Sequence, residues 1–463
     1  MRKLRGAWYT PADLVELLAT WAAEAAARSE RQHVRVLDPA CGDGRLLTAV
    51  GDRLLAKARS VELVGCDVSL DALASVIDDR IRTIHADALT HDWSTETFDV
   101  VIGNPPFLSQ MAAGTTRGGA SRHGGGAYAD AAVEFLALSV SLAEPTGVVA
   151  LVLAQSVLGA RDAAPVRATV DARAELTWSW WEQRQDHFDA SVNVCLLGFE
   201  LRAFPAAARP WTSVVTDRMG IPPLDPSALS TDGTLADRAE FNANFRDEYY
   251  ALVPAVSDAA DGPPLVPSGL IDPGQCHWGE RPVRFAKQVF EHPRVDVSKL
   301  TGRFPAWAAR KLVPKVLVAN QTRVVEAVAD PAGAWLPGVP VTTATPLDGS
   351  VNLVWELTAV LNSPVVSVLA WQAAAGTGLS TTSVRVSPVT LGAMPWPAGS
   401  LSAAAAALQA GELVAAAELT CTAYGLGPAD AQAIVTWWNE TRPSTAAVRN
   451  PANRPSSTAA PAP

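Results

Sequence analysis

Cysteine is scarce in this 463-residue chain, and its five copies, at positions 41, 66, 195, 276 and 421, never form a CxxC pair. That excludes a zinc ribbon or a disulfide framework and fits the reduced thiols of a cytoplasmic protein. No HxE pair or Cys/His cluster occurs, so no metal is expected. No run of about 18 uninterrupted apolar residues exists, so no membrane span is expected. After the basic start MRKLRG, Asp13, Glu16 and Glu24 interrupt the apolar stretch, so no secretory leader is expected either. Positive charge is in deficit: 37 Lys and Arg stand against 47 Asp and Glu, a net charge of −10. A surface uniformly coated for non-specific nucleic-acid binding is thereby excluded, although a local basic face is not.

The apolar material is ample, at 48% of residues with 15 Trp and 11 Phe, which excludes a mainly disordered chain. The length implies two or three domains. Residues 11–29 read as a helix, with Leu14, Leu17, Leu18, Trp21 and Ala25 on one face and Thr10-Pro11 as its start signal. Short β-branched runs then alternate with helical stretches: Val34–Leu37, Val61–Cys66, Thr83–His85, Phe98–Ile102, Val148–Leu153, Leu176–Trp180 and Val192–Phe199. This alternation predicts an α/β domain over residues 1–205, a seven-stranded, mostly parallel sheet with helices on both faces. Residues 206–280, rich in Pro, Asp and Ala, read as a connector. Residues 281–440 read as a second, mixed α+β domain with one long helix over Leu353–Ala373 and Ala-rich helices after 401. The tail from 442 to 463 lacks aromatics and is expected to be disordered.

The chemistry sits at the strand ends. The first strand runs into Asp38-Pro39-Ala40-Cys41-Gly42-Asp43-Gly44, where two glycines permit a tight turn and close backbone approach to a ligand. It is not a GxGxxG sequence, so a pyrophosphate cradle is a poor fit. The second strand ends at Asp67, placed to accept from a ribose diol, and the third at Asp87, placed to accept from an adenine amine. The fourth ends in Asn104-Pro105-Pro106-Phe107. Taken singly, such carboxylates are ordinary helix caps and such a turn is an ordinary turn. In this order they describe a crevice for a nucleoside without phosphate, and S-adenosyl-L-methionine is a ligand of that kind.

Together these residues resemble the gamma-class N6-adenine DNA methyltransferases. In that resemblance Asp38–Gly44 corresponds to motif I, Asp67 to motif II, Asp87 to motif III and Asn104–Phe107 to the catalytic motif IV. Gly6–Pro11 matches the cofactor segment that precedes motif I, and His187-Phe188-Asp189 resembles motif VIII. The resemblance spans residues 6–200. It implies a Rossmann-like methyltransferase domain that binds S-adenosyl-L-methionine through Tyr9, Thr10, Asp38, Pro39, Ala40, Cys41, Gly42, Gly44, Asp67, Asp87 and Asn104. Asn104, Pro105, Pro106 and Phe107 are then the catalytic turn, with Phe107 and Phe188 holding a flipped base.

The exocyclic amine of a purine is a poor nucleophile, because its lone pair is delocalised. Two acceptors at the NH2, the Asn104 amide oxygen and the Pro105 carbonyl, would localise that pair, and the flanking prolines would hold them in place. The Gly-rich stretch 108–127, with Arg117, Arg122 and His123, could close over the substrate and touch phosphate. Between Glu280 and Arg323 ten Lys and Arg face three acids, interleaved with Phe285, Phe290, Phe304 and Trp307. In an acidic chain this suits contact with a DNA backbone, through Arg303, Arg310, Lys311 and Lys315. From Leu361-Asn362-Ser363-Pro364 to Met394-Pro395-Trp396-Pro397 the sequence is similar to TaqI-like target-recognition domains. The expected partners are double-stranded DNA and a separate restriction or defence component. RNA adenine, cytosine N4 or a protein glutamine amide would suit the same acceptor pair, and a non-catalytic specificity subunit is the reading from another class.

Overall fold

A computed structural model describes residues 10–94, 96–107, 121, 123–126, 129–181, 193–202, 209–244 and 246–443. The chain forms two compact units, Met1–Arg218 with Ala374–Thr382 and Met219–Ala373 with Ser383–Pro463.

The first unit is built on a seven-stranded sheet. Its strands are β1 (His33–Asp38), β2 (Ser60–Asp67), β3 (Ile81–His85), β4 (Phe98–Gly103), β5 (Ala143–Ala154), β6 (Ala174–Trp180) and β7 (Val194–Leu201). They lie in the order β3-β2-β1-β4-β5-β7-β6, with β3 to β5 mutually parallel and β7 antiparallel to both its neighbours. Strands in the middle of such a sheet are covered on both faces, so they need continuous apolar runs rather than alternation. Residues 148–154 of β5 are buried without a break, as β-branched and aliphatic side chains. The seven-stranded α/β expectation holds.

One face is covered by α1 (Ala12–Ala27) and α2 (Arg45–Ala56), whose Leu14, Leu18, Leu47, Val50 and Leu54 pack on Val36, Val100 and Val152. Trp21 of α1 stacks on Trp178 of β6, with ring centroids 5.5 Å apart. Only glycine fits beneath that ring, because a Cβ at Gly198 would approach the indole to 2.5 Å. Trp181 is buried as well and donates its indole N–H to the Val214 carbonyl at 2.8 Å. Trp21, Trp178 and Trp181 thus serve packing. Helices α3 (Ala131–Leu142) and α4 (Ala164–Asp171) precede β5 and β6.

The second unit carries a four-stranded antiparallel sheet of β8 (Ala239–Ala243), β9 (Lys315–Ala319), β10 (Glu326–Asp330) and β11 (Val341–Pro346), in the order β10-β9-β11-β8. The mixed α+β expectation holds here. Residues 239–243, inside the stretch expected as a connector, are an edge strand. The segment AEFNA has no β-branched residue, so its strand state comes from pairing with β11 rather than from local preference.

The long helix expected over Leu353–Ala373 is two helices, α6 (Val351–Leu361) and α7 (Pro364–Ala374), bent by 61° and preceded in the chain by α5 (Phe304–Lys311). Pro364 has no N–H to continue the first helix. Buried Asn362 uses the break to pair with a strand: its amide oxygen accepts from Ala327 N–H at 2.9 Å and its Nδ2 donates to the Ala327 carbonyl at 2.9 Å. The Ala-rich segment forms α8 (Ser402–Gln409), α9 (Leu413–Ala423) and α10 (Pro428–Thr441). No single described helix is long and apolar enough to cross a membrane. Residues 444–463 lie outside the described residues.

Lys315 and Asp330 face each other across β9 and β10, with the ammonium 2.5 Å from the carboxylate and side chains 0% and 2% exposed. The carboxylate also accepts Ala334 N–H at 2.9 Å and Trp335 N–H at 3.0 Å. Removing one partner strands a buried charge, so Asp330→Ala should destabilise the second unit by about 3–5 kcal/mol. Urea unfolding followed by tryptophan fluorescence reads this, and an unchanged midpoint would contradict it.

Candidate active site

Parallel strands deliver their carboxyl ends to one edge, and β1 and β4, neighbours whose following connections run in opposite directions across the sheet, open a crevice there. The turn after β1 is drawn over β2. Cys41 N–H donates to the Cys66 carbonyl at 2.9 Å and Gly42 N–H to Asp67 Oδ2 at 3.0 Å. Gly42 and Gly44 have φ of +55° and +77°, the left-handed region in which L side chains are strained. Gly44 then starts α2. Asp67 Oδ1 accepts Ser69 N–H at 2.8 Å, so the carboxylate is held on both oxygens by main chain. The crevice floor is built of small residues. A Cβ at Gly65 would meet Cys41 Sγ at 2.8 Å, and one at Gly103 would meet Asp38 Oδ1 at 2.9 Å.

Asp38 is 1% exposed and accepts Ala40 N–H at 2.9 Å. Burial, reinforced by the nearby Asp67 and Asp43, pushes its carboxyl up to about 8. Burial likewise pushes the Cys66 thiol up to about 12 and raises the Cys41 thiol, so neither is a ready nucleophile. Asp87 is exposed beyond β3, its Oδ1 accepting Leu89 N–H at 3.1 Å. Pro39, buried, and Ala40, half-buried, complete the turn.

The acceptor turn follows β4. Asn104 is half-buried, and its Nδ2 donates to Thr10 Oγ1 at 3.1 Å. Thr10 is itself buried, and its carbonyl accepts from Arg45 Nη1 at 2.8 Å. Arg45 in turn grips Asp43. One residue, Thr10, therefore joins the segment before α1 to the turn after β1 and the turn after β4. Pro105 is buried, Pro106 half-buried, and half-buried Phe107 packs beside the α1-side core. Tyr9, Phe188, Arg117 and Arg122 lie outside the described residues.

Sequence reasoning missed two residues. Arg45 was hidden because a helix-start arginine is commonplace. Glu134 had a signal, as the one carboxylate in the otherwise apolar α3. It is 3% exposed and accepts Ser121 Oγ–H at 2.8 Å, His123 N–H at 2.7 Å and Gly125 N–H at 2.8 Å, which fixes the chain where it returns from the Gly-rich stretch. The His123 ring lies 3.4 Å from the Leu89 carbonyl, beside the Asp87 turn.

The basic stretch of the second unit needs correction. Lys315 is wholly buried against Asp330 and offers nothing to a phosphate. Lys311 is half-buried and donates to Thr343 Oγ1 at 2.9 Å, and burial lowers its ammonium pKa. Arg303 is exposed but lies 2.8 Å from Asp247. Of the four cations named, Arg310 is exposed with no carboxylate within ion-pair distance among the described residues. A charge count along the chain is blind to such partners.

Residues 1–168 match the family model described as N-6 DNA Methylase. The family read from the motifs, the N6-adenine DNA methyltransferases, is thus the one that this segment matches. Among solved structures, the Type IIL restriction-modification enzyme MmeI in complex with DNA is 11% identical, with a TM-score of 0.55 over 92% of this chain and 74% of that one, a likeness of fold. The type I restriction-modification system methyltransferase subunit from Streptococcus thermophilus is 19% identical (TM-score 0.35, 42% of this chain and 44% of that one). The type I restriction enzyme EcoKI M protein is 18% identical (TM-score 0.34, 43% and 45%). The chain spans less than half of these last two proteins.

The Asp38 carboxyl ionises near pH 4 in an unfolded chain and near 8 when folded. Between those values the folded state holds the extra proton, so stability falls as pH rises through that window. Asp38→Asn should flatten this decline, as measured by chemical unfolding at pH 5 and pH 8. Equal slopes for variant and wild type would contradict the assignment.

Proposed function

We propose that the chain is a site-specific DNA methyltransferase that moves a methyl group from S-adenosyl-L-methionine to the N6 amine of adenine. The observation that carries this reading is Asn104, at the carboxyl end of β4, with its amide oriented by Thr10 beside the Asp38 and Asp67 strand ends. The crevice suits the cofactor's chemistry. Two left-handed glycines let the turn after β1 bend tightly, and Gly65 and Gly103 let Cys41 and Asp38 pack closely against the strands beneath it. Asp67 and Asp87 offer carboxylate acceptors for ribose hydroxyls and an adenine amine, and no anion cradle is needed for a ligand without phosphate.

When bound, the cofactor supplies a methyl group on a sulfonium. The protein's part is to hold the amine. The amide nitrogen of Asn104 is committed to Thr10, which turns the amide oxygen to the other side of the group as an acceptor. The Pro105 carbonyl, stiffened by two successive prolines, is the second acceptor. Two acceptors on one NH2 favour a pyramidal nitrogen with a localised pair, and their fixed placement avoids reorganisation at the moment of reaction. Phe107 offers a ring for the base to stack upon. A paired base cannot reach this turn, so the nucleotide leaves the helix first. The second unit serves target recognition, and the chain works within a restriction-modification or phage-defence system.

Asn104→Ala should lower methyl transfer to DNA by about 10²-fold or more while cofactor affinity changes far less. Turnover of tritiated methyl groups and calorimetric binding measure the two quantities, and wild-type turnover would refute the acceptor role. Asp67→Ala should weaken cofactor binding by roughly ten-fold or more. An unchanged affinity would remove Asp67 from the ribose site.

A further inference from the structure

We infer that the hairpin Val283–Phe290 of the second unit is the element that enters the DNA major groove and reads bases, an inference that rests on the DNA methyltransferase reading above. The two strands pair Val283 with Phe290, Arg284 with Val289 and Phe285 with Gln288. Alternation gives the ribbon two unlike faces. Val283, Phe285 and Phe290 are buried at 4–8% exposure, and Phe285 packs on Tyr249 with ring centroids 5.4 Å apart. Arg284 and its cross-strand partner Val289, 59% exposed, share the outer face, Lys287 is exposed at the tip, and Gln288, opposite Phe285, lies on that residue's face.

The ribbon is firmly shaped at its tip. Ala286 and Lys287 have φ of +48° and +66°, positive at both central positions, which is the two-residue turn that matches strand twist. Neither residue is glycine, so the conformation is held against a local preference, and such strain gathers at binding elements.

Charge is also arranged for an outside partner. Several cations of the basic stretch are answered internally, Arg281 by Asp272 at 3.0 Å, Lys299 by Asp296 at 3.5 Å and Arg303 by Asp247 at 2.8 Å, whereas Arg310 and Arg323 stay exposed. Among the described residues no carboxylate lies within ion-pair distance of Arg284 or Lys287. A two-stranded ribbon fits a groove about 12 Å wide, and the exposed set matches what base edges offer there. Arginine donates in fork geometry to guanine, and an exposed valine meets the thymine methyl. Lys287 at the tip reaches phosphate.

The test is long-read sequencing of genomic DNA from cells expressing the full chain or its variants, which reports methylated adenines with their context. Wild type should mark one motif. Arg284→Ala should degrade one position of that motif, with discrimination there falling by roughly ten-fold, and Val289→Ala should relax a neighbouring one. Lys287→Ala should lower methylation evenly across sites. An unchanged motif in both Arg284→Ala and Val289→Ala overturns the inference. So does loss of methylation together with loss of binding to a random-sequence duplex, because the side chains would then hold backbone. Loss of methylation with random-duplex binding and the unfolding midpoint intact supports it. If wild type marks no adenine at all, the methyltransferase reading fails instead.

Discussion

The arrangement depends on one constraint, that β1, β2, β3 and β4 run parallel and so end at one edge of the sheet. Asp38, Asp67, Asp87 and Asn104 are separated by tens of residues in the chain, yet each follows or ends one of these strands. A parallel sheet needs helical crossovers and burial on both faces. The apolar runs that build the core are therefore the same runs that gather the polar residues. Register fixes the detail: Leu37 is level with Val101, so the turns after β1 and β4 emerge side by side.

The polar residues at that edge are organised by the main chain more than by ion pairs. Asp67 is held by Gly42 and Ser69 amides, Asp38 by Ala40 and Asp87 by Leu89. Amides fix a carboxylate without neutralising it, so negative potential persists around a crevice proposed to take a cationic ligand. Asp38 is the exception. Its burial beside Asp67 and Asp43 favours the neutral acid, which removes one charge from a crowded corner. Thr10 acts as a common fastener, with its hydroxyl on Asn104 and its carbonyl on Arg45. Loosening the segment before α1 would therefore disturb both turns together.

Much of this was legible in the sequence, for a physical reason. A doubly covered strand writes itself as a β-branched run, so the seven strands and their ends could be read, and the motif residues at the ends with them. The second unit was harder. The edge strand Ala239–Ala243 owes its state to β11, and the helix break at Asn362 owes its role to Ala327, partners more than 30 residues away. Lys315 looked like one more surface cation because nothing local reveals Asp330 across the sheet. Long-range pairing decides each of these cases, and Glu134 shows the converse. As the lone carboxylate of an apolar helix it carried a local signal of a buried acceptor, which the sequence reading passed over.

The central claim is that an amide oxygen and a neighbouring main-chain carbonyl hold the NH2 of adenine. It is tested most directly by letting the wild-type protein act on duplex DNA with isotopically labelled S-adenosyl-L-methionine and digesting the product to nucleosides for mass spectrometry. The account predicts label in N6-methyladenine. Label in N4-methylcytosine, or label accepted only by RNA or a protein glutamine and not by DNA, would contradict it.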